Sequence, residues 1–337
     1  MEFTAGGRLE VRITHADVGK RVSVRYVTEA GDLGGKFTDA VGVLTSWDSG
    51  VLLITRRTGE TVRILDSALV AGKVVPAAPA RRRGPAASFE ELARAMARGW
   101  PPVESEALGE WTLRASGGFT RRANSVLPLG DPGLPMDAAL ARVRDWYEKR
   151  DLPPYVQTAT GAEGTQELLC AELERHGWRS EVTAEVRIGG LAPVGDLDAD
   201  VSRVRLARSV DEAWLRRYNR SGVVGPHVLS VLSGGPSVWF ASVPGTGDIP
   251  AAIGRCVVDG RWAGFMVVEV DPEQRRQGLA TAVMTALARQ ALDEGASAAW
   301  LQVERENDGA RAMYEGMGFA VHHHYHHYRP DLGPTEA

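Results

Sequence analysis

The chain has 337 residues, 44% of them apolar and 24% charged, and carries 39 Lys plus Arg against 43 Asp plus Glu for a net charge of −4. This composition excludes global disorder, and the length leaves room for two or three domains. Regional balances of +3 for residues 1–90, −3 for 91–195 and −4 for 196–337 exclude a dedicated duplex-DNA binder.

Two cysteines, Cys170 and Cys256, stand far apart with no CxxC or Cys/His ladder, which argues against a disulfide framework or a zinc knuckle. The first residues carry no basic-then-apolar leader, and no window approaches the ~18 apolar residues of a membrane span. A reduced, soluble, cytoplasmic protein is expected, with no membrane partner and no nucleic-acid partner.

Residues 8–75 alternate as strands do. Segments 21–27, 40–45, 51–56 and 61–65 are β-rich and separated by glycine-bearing turns, so 1–75 reads as a small antiparallel β-barrel. Residues 76–88, rich in Pro, Ala and Arg, read as a linker. Its triplet Arg81, Arg82 and Arg83 suits phosphate contact or plain solvation.

Region 89–195 mixes the two element types: helices at 89–97, 136–149 and 165–176, the last closed by Gly177, and strands at 111–115 and 181–188. Region 196–337 begins with a strand at 203–207 and a helix at 211–219. Strands at 237–243, 251–258 and 262–270 precede a helix at 277–294, then strand 298–304, helix 308–317 and strand 319–328. Strands come early and helices late, so the fold class is α+β around a mostly antiparallel sheet.

The segment carrying chemistry joins the strand at 262–270 to the helix at 277–294. The helix repeats apolar residues at Val283, Met284, Leu287, Ala288, Ala291 and Leu292, one continuous buried stripe. Its first turn exposes backbone N–H groups at the positive end of the helix dipole, a site for phosphate oxygens or, equally, an ordinary tight turn. Gly278 removes a side chain at that point, and Arg275 and Arg276 add positive charge.

Arg275-x-x-Gly278-x-Ala280, with Asn307-x-x-Ala310-x-x-x-Tyr314-Glu-x-x-Gly318-Phe319 downstream, resembles the two signatures of the GNAT (GCN5-related N-acetyltransferase) superfamily in order and spacing. Ala280 departs from the Gly of many members. The resemblance implies acetyl-CoA binding: pantetheine amides on the backbone of Val268 and Val270, pyrophosphate on the amides of Arg276, Gln277, Gly278, Leu279, Ala280 and Thr281 beside Arg275, and Asn307 near the pantetheine arm. It implies Tyr314 as general acid to the departing thiolate, the alternative being a core tyrosine under Phe319. The Val270 N–H would meet the oxyanion. A base is needed for the acceptor amine, and Glu269 and Glu304 are the candidates, each equally readable as a solvated strand-edge charge.

Residues 89–195 lack both signatures and would form a degenerate GNAT-like half beside the catalytic domain at 196–337. The whole chain resembles an actinobacterial tandem-GNAT family with an SH3-like N-terminal barrel and an Arg-Ala-Asn-Ser segment, here residues 122–125. Arg122 and Asn124 are the acceptor-site candidates, with capping or a buried network as the other reading. The run His322, His323, His324, His326 and His327 suits either an imidazole metal site or a structural last strand, and the strand is favoured, with no metal.

The expected activity is acetyl transfer from acetyl-CoA to a primary amine in a ternary complex. Rivals are a different acyl-CoA and a non-catalytic CoA-binding scaffold. The acceptor is a small-molecule or peptide amine, and the acidic balance around the catalytic region favours a cationic one. Neither the oligomeric state nor the role of the barrel is fixed by the sequence.

Overall fold

The computed structural model describes residues 10–28, 36–76, 84–218 and 225–331. The Arg81, Arg82 and Arg83 triplet lies outside the described residues, as does Asn219 at the end of the expected helix 211–219. Two compact units are present. The described part of the smaller is 10–28, 36–76, 158–179 and 331, and that of the larger is 84–157, 180–218 and 225–330.

In the smaller unit, β1 (Arg21–Thr28), β2 (Lys36–Asp48), β3 (Val51–Thr55), β4 (Thr61–Leu65) and β5 (Leu69–Val74) form an antiparallel sheet of order β4-β3-β2-β1-β5. Alternation turns Val22, Val24, Leu44, Leu52, Ile54 and Ile64 into a shared apolar core. The fifth strand, reached through a 3₁₀ turn at Asp66–Ala68, adds to the four expected. Among the described residues no pairing joins β4 to β5, so the sheet is open there and no closed barrel forms.

The remaining elements follow in chain order: α1 (Phe89–Gly99), β6 (Glu104–Leu108), β7 (Trp111–Ala115), β8 (Leu127–Pro128), α2 (Met136–Glu148), β9 (Val156–Thr160), α3 (Glu167–Arg175), β10 (Trp178–Gly190), α4 (Ala192–Gly195), β11 (Arg205–Ala207), α5 (Glu212–Arg217), α6 (Pro226–Ser233), β12 (Ser237–Val243), β13 (Ala252–Asp259), β14 (Trp262–Val270), α7 (Leu279–Asp293), β15 (Ala298–Glu304), α8 (Asp308–Gly316) and β16 (Ala320–Pro330). Local chemistry sets several ends. Ser88 caps α1 by accepting the Glu91 N–H at 3.1 Å, and Asp211 caps α5 by accepting that of Trp214 at 2.7 Å.

An eight-stranded sheet runs β11-β12-β13-β14-β15-β10-β16-β9, with Val156 and Gln157 of β9 in the larger unit. β12, β13 and β14 pair antiparallel, β14 and β15 pair parallel, and β10 pairs antiparallel with β15. The mostly antiparallel α+β reading therefore holds. One placement was not anticipated: β10, from the region expected to form a separate half, lies between β15 and β16.

The two faces of the sheet carry different layers. On one, α7 packs against β13 so closely that a Cβ on Gly254 would meet Val283 Cγ1 at 2.4 Å, which fixes glycine there. This face buries Val283, Met284, Leu287, Tyr314 and Phe319 together. The other face receives α1, α5 and α6 through Met96, Trp100, Trp214, Tyr218, Val231 and Leu232, packed on Trp262, Met266 and Trp300.

Candidate active site

The site begins where two strands part. β14 and β15 pair only from Trp262 opposite Ala298 to Phe265 opposite Leu301. Beyond that point a bulge interrupts β14: Arg255 faces Met266 and Ile253 faces Glu269, so Val267 and Val268 together oppose Gly254, and Val267 takes φ 54°. Farther on, the Asp271 N–H donates to Ala251 O at 2.8 Å, toward β13. Alternation from Asp271 turns the backbone groups of Glu269 toward β13 and those of Val268 and Val270 the other way, into the gap where β15 has left. Among the described residues, the two valines read from the resemblance thus face the split with no strand paired to them on that side.

The strand then enters the loop 271–278. Asp271 holds its first turn by accepting the Glu273 N–H at 3.0 Å, and Arg217 of α5 donates to the same carboxylate at 2.5 Å and to Pro250 O at 2.7 Å. These hydrogen bonds, the backbone one foremost, keep the Asp271 carboxyl below its usual range. Arg276 and Gly278 adopt left-handed φ values of 64° and 77°, turning successive N–H groups to one side. α7 starts at Leu279, two residues later than its periodicity suggests, because Gly278 stands left-handed at the N-cap. The Gly278 carbonyl takes the Ala282 N–H at 2.9 Å, and the N–H groups of Leu279, Ala280 and Thr281 precede the first intrahelical bond. Its chain neighbours and the helix's own backbone aside, no heavy atom of the described residues lies within 4 Å of a Cβ built on Gly278, so the start of α7 is open there. Arg275, Arg276 and Gln277 are exposed around it. Free N–H groups, a helix N-terminus and two guanidinium groups fit a pyrophosphate, and the split edge of β14 fits an amide chain. The residues present therefore suit acetyl-CoA.

Tyr314 projects from α8 into the apolar cluster that also takes in Val268, Val270, Leu279 and Met313. Its ring packs edge-on to Phe319 at 6.1 Å, and burial pushes its phenol up to about 12. Among the described residues nothing hydrogen-bonds that phenol. Asn307 is exposed and caps α8, its Oδ1 accepting the Ala310 N–H at 3.1 Å.

The carboxylates lie on the opposite face. Glu269 is opposite Ile253, a residue of the α1/α5/α6 layer, and alternation along β15 gives Trp300, Gln302 and Glu304 the same face. Glu269 is half-buried and Glu304 exposed. Arg122 reaches this rim, its Nη1 donating to Gln302 Oε1 at 2.6 Å while the guanidinium sits 5.3 Å from the Trp100 ring centroid. Asn124 does not. It is buried, its Oδ1 accepts the N–H groups of Ser116 and Gly118 at 2.7 and 3.0 Å, and its Nδ2 donates to the carbonyls of Phe119 and Thr120, both at 2.8 Å. With all four bonds inside the 116–120 loop, Asn124 shapes the loop that carries Phe119.

The histidine run forms β16. His323, His324, His326 and His327 are buried, His326 Nδ1 meets Thr183 Oγ1 at 2.9 Å, and His327 packs edge-on to Tyr155 and Tyr325. Among the described residues no group of three His, Cys, Asp or Glu side chains is arranged to hold a metal ion. Arg217 and Gln302 went unnoticed in the sequence, because each acts across a tertiary contact with no local pattern. Gly254 did leave a signal, a lone glycine inside a strand.

A sheet split by a bulged strand, a left-handed turn into a helix and a buried tyrosine beyond define a GNAT-type acyltransferase. A solved GCN5-related N-acetyltransferase from Kribbella flavida shares the fold, covering 72% of this chain and 96% of its own at a TM-score of 0.52 and 18% identity. Residues 86–328 match the family described as "Probable histone acetyltransferase Rv0428c C-terminal", and residues 16–73 match "Rv0428c N-terminal Sm-like domain". The chain belongs to this Rv0428c family. It is 30% identical over 308 residues to "Probable histone acetyltransferase Rv0428c" of Mycobacterium tuberculosis, covering 91% of this chain and 93% of that protein. An "Uncharacterized N-acetyltransferase YobR" of Bacillus subtilis is 26% identical over 255 residues, 70% of this chain and 97% of its own. No helix among the described residues is long and apolar enough to cross a membrane.

Proposed function

We propose that the protein transfers an acetyl group from acetyl-CoA to a primary amine within a ternary complex. The observation that carries this reading is the coincidence of the split in β14, the open N–H groups of residues 279–281 and the Tyr314 phenol around one apolar cluster. Acetyl-CoA, when bound, supplies the acetyl thioester. The backbone of Val268 and Val270 aligns its amide arm, residues 276–281 with Arg275 hold its pyrophosphate, and the exposed Asn307 side chain stands by the arm. Glu269, on the opposite face, takes a proton from the acceptor amine directly or through water, with Glu304 farther out on the same face. Tyr314 keeps its proton at neutral pH and delivers it to the sulfur as the carbon–sulfur bond breaks and the carbon–nitrogen bond forms.

Residues 89–195 act in this reading as the degenerate half that walls the acceptor side, and the N-terminal sheet as an SH3-like packing or docking module. The two buried cysteines, Cys170 and Cys256, stand outside any disulfide, which suits a cytoplasmic protein. Tyr314→Phe tests the assignment. Thiol release with a competent amine should fall at least ~10²-fold while acetyl-CoA affinity holds within about threefold. A variant turning over at full speed removes Tyr314 from the chemistry.

A further inference from the structure

Charge on the face bearing α1, α5 and α6 is unevenly placed. Arg122 and Arg255 both stand over the Trp100 ring, 5.3 and 4.9 Å from its centroid, and Arg114 and Arg121 lie within reach of the His327 ring. Burial first, and then the charges of Arg114, Arg122 and Arg121, drive His327 far below its ordinary value, and Arg122 likewise disfavours charge on Arg255. Three of the four guanidinium groups are engaged. Arg114, fully buried, donates to Ser125 O at 2.8 Å and to Ser125 Oγ and Gln157 Oε1, both at 2.9 Å. Arg255, also fully buried, donates to the carbonyls of Leu232, Gly99 and Gly234 at 2.6, 2.9 and 2.6 Å. These carbonyls end α6 and α1, so the negative ends of two helices stand where a carboxylate otherwise would. Arg121 pairs with Glu181 at 3.3 Å, and Glu181 also accepts the Tyr155 hydroxyl at 2.7 Å and pairs with Arg329 at 3.3 Å.

Arg122 differs. Its one side-chain hydrogen bond goes to the neutral Gln302, and among the described residues no carboxylate pairs with it. It is half-buried, and none of its nitrogens is among the sealed, unpartnered ones. Its position is specific. Gln302 directly follows Leu301, the last β15 residue paired with β14, so the guanidinium stands at the rim of the split, backed by the Trp100 ring. A planar donor fork over an aromatic face, in a region already rich in positive charge, matches an oxyanion and repels an ammonium. Glu269 lies on the same face for the amine end.

We propose that the acceptor amine also carries an oxyanion, a carboxylate or a phosphate, which docks on Arg122 beside Gln302 and Trp100. The inference rests on the transferase reading and reverses the preference for a cationic acceptor drawn from net charge. That balance sums carboxylates all along the region, whereas the rim itself carries the Arg122 guanidinium.

The test is thiol release from acetyl-CoA by the full chain with ethylamine, β-alanine and O-phosphoethanolamine. These probes share an aminoethyl group and differ only in carrying no anion, a carboxylate or a phosphate. Wild-type kcat/KM should favour at least one anionic member by about tenfold or more, the scale of one charge-assisted hydrogen bond, and the better of the two identifies the anion. Arg122→Gln should bring that ratio toward one, and Arg122→Lys should keep much of it. The wild-type comparison stands on its own if Arg122→Gln fails to fold. Equal or better use of ethylamine, or a preference that survives Arg122→Gln, overturns the anion site alone. No thiol release with any amine, while acetyl-CoA still binds, overturns the transferase reading and this inference with it.

Discussion

Gly278 meets two demands with one missing methyl group. Its φ of 77° is left-handed, and the volume a Cβ would occupy at the start of α7 is open among the described residues. Gly278→Ala should therefore cost folding only the left-handed penalty, about 1–2 kcal/mol. If residues 276–281 hold the pyrophosphate as proposed, the added methyl should weaken acetyl-CoA at least about tenfold. Calorimetric titration beside a thermal melt checks this, and unchanged affinity would move the pyrophosphate elsewhere. Tyr314 makes a second residue-scale prediction. With its pKa raised to about 12 by burial, the phenol stays protonated through neutral and mildly alkaline pH. Any alkaline fall in kcat below pH 10 should then persist unchanged in the residual activity of Tyr314→Phe, since another group causes it. The turn and helix start at 275–281 were legible in the sequence because their signals are local, a glycine and the onset of helical period. Arg217 on Asp271 and Arg122 on Gln302 were not, because their partners lie 54 and 180 positions away.

Among the elements, β10 has the largest consequence. It lies between β15 and β16 in the sheet that holds the site, although it precedes β11 in the chain and ends before the region that carries both signatures. A fragment of residues 196–337 would leave the inner edges of β15 and β16 without their neighbour and expose apolar strands along them. Such a fragment should be insoluble or lack fixed tertiary structure by near-ultraviolet circular dichroism, whereas the full chain is folded. A soluble fragment that binds acetyl-CoA would show the last region to be independent. Most strands and helices were readable from period and punctuation. The position of β10 was not, since its alternation fits the edge of a separate half as well as the middle of a shared sheet. The short strands β6 and β8 and the helix α6 also escaped notice, their few residues giving too little periodicity.

For the molecule as a whole, β16 sets the acid limit. His326 is buried with its pKa lowered to about 3, and His327 is fully buried, with neither ring nitrogen hydrogen-bonded among the described residues and its pKa likewise driven well below the ordinary value, by burial first. Unfolded histidine binds a proton near 6.5, so between there and about 3 the unfolded chain holds more protons than the folded one. Stability is thus full above pH 6.5 and falls as pH falls, by about 2 kcal/mol at pH 5 for His326, with His327 acting in the same direction. Thermal melts from pH 8 to 4.5 should show this slope, and His327→Leu should flatten it; parallel curves would place the acid sensitivity elsewhere. The repeated histidines were visible in the sequence, but their burial was not, because the ring layers covering them come from distant segments such as Phe89 and Tyr155. The brief pairing of β14 with β15 bears on measurement as well. Amides of Val268 and Val270 lie beside a sheet yet, among the described residues, have no strand to bond, so they should exchange with deuterium like loop amides. Slow exchange at these two positions alone would then report how often the gap is filled, a residue-resolved gauge of occupancy that needs neither an acceptor nor a label.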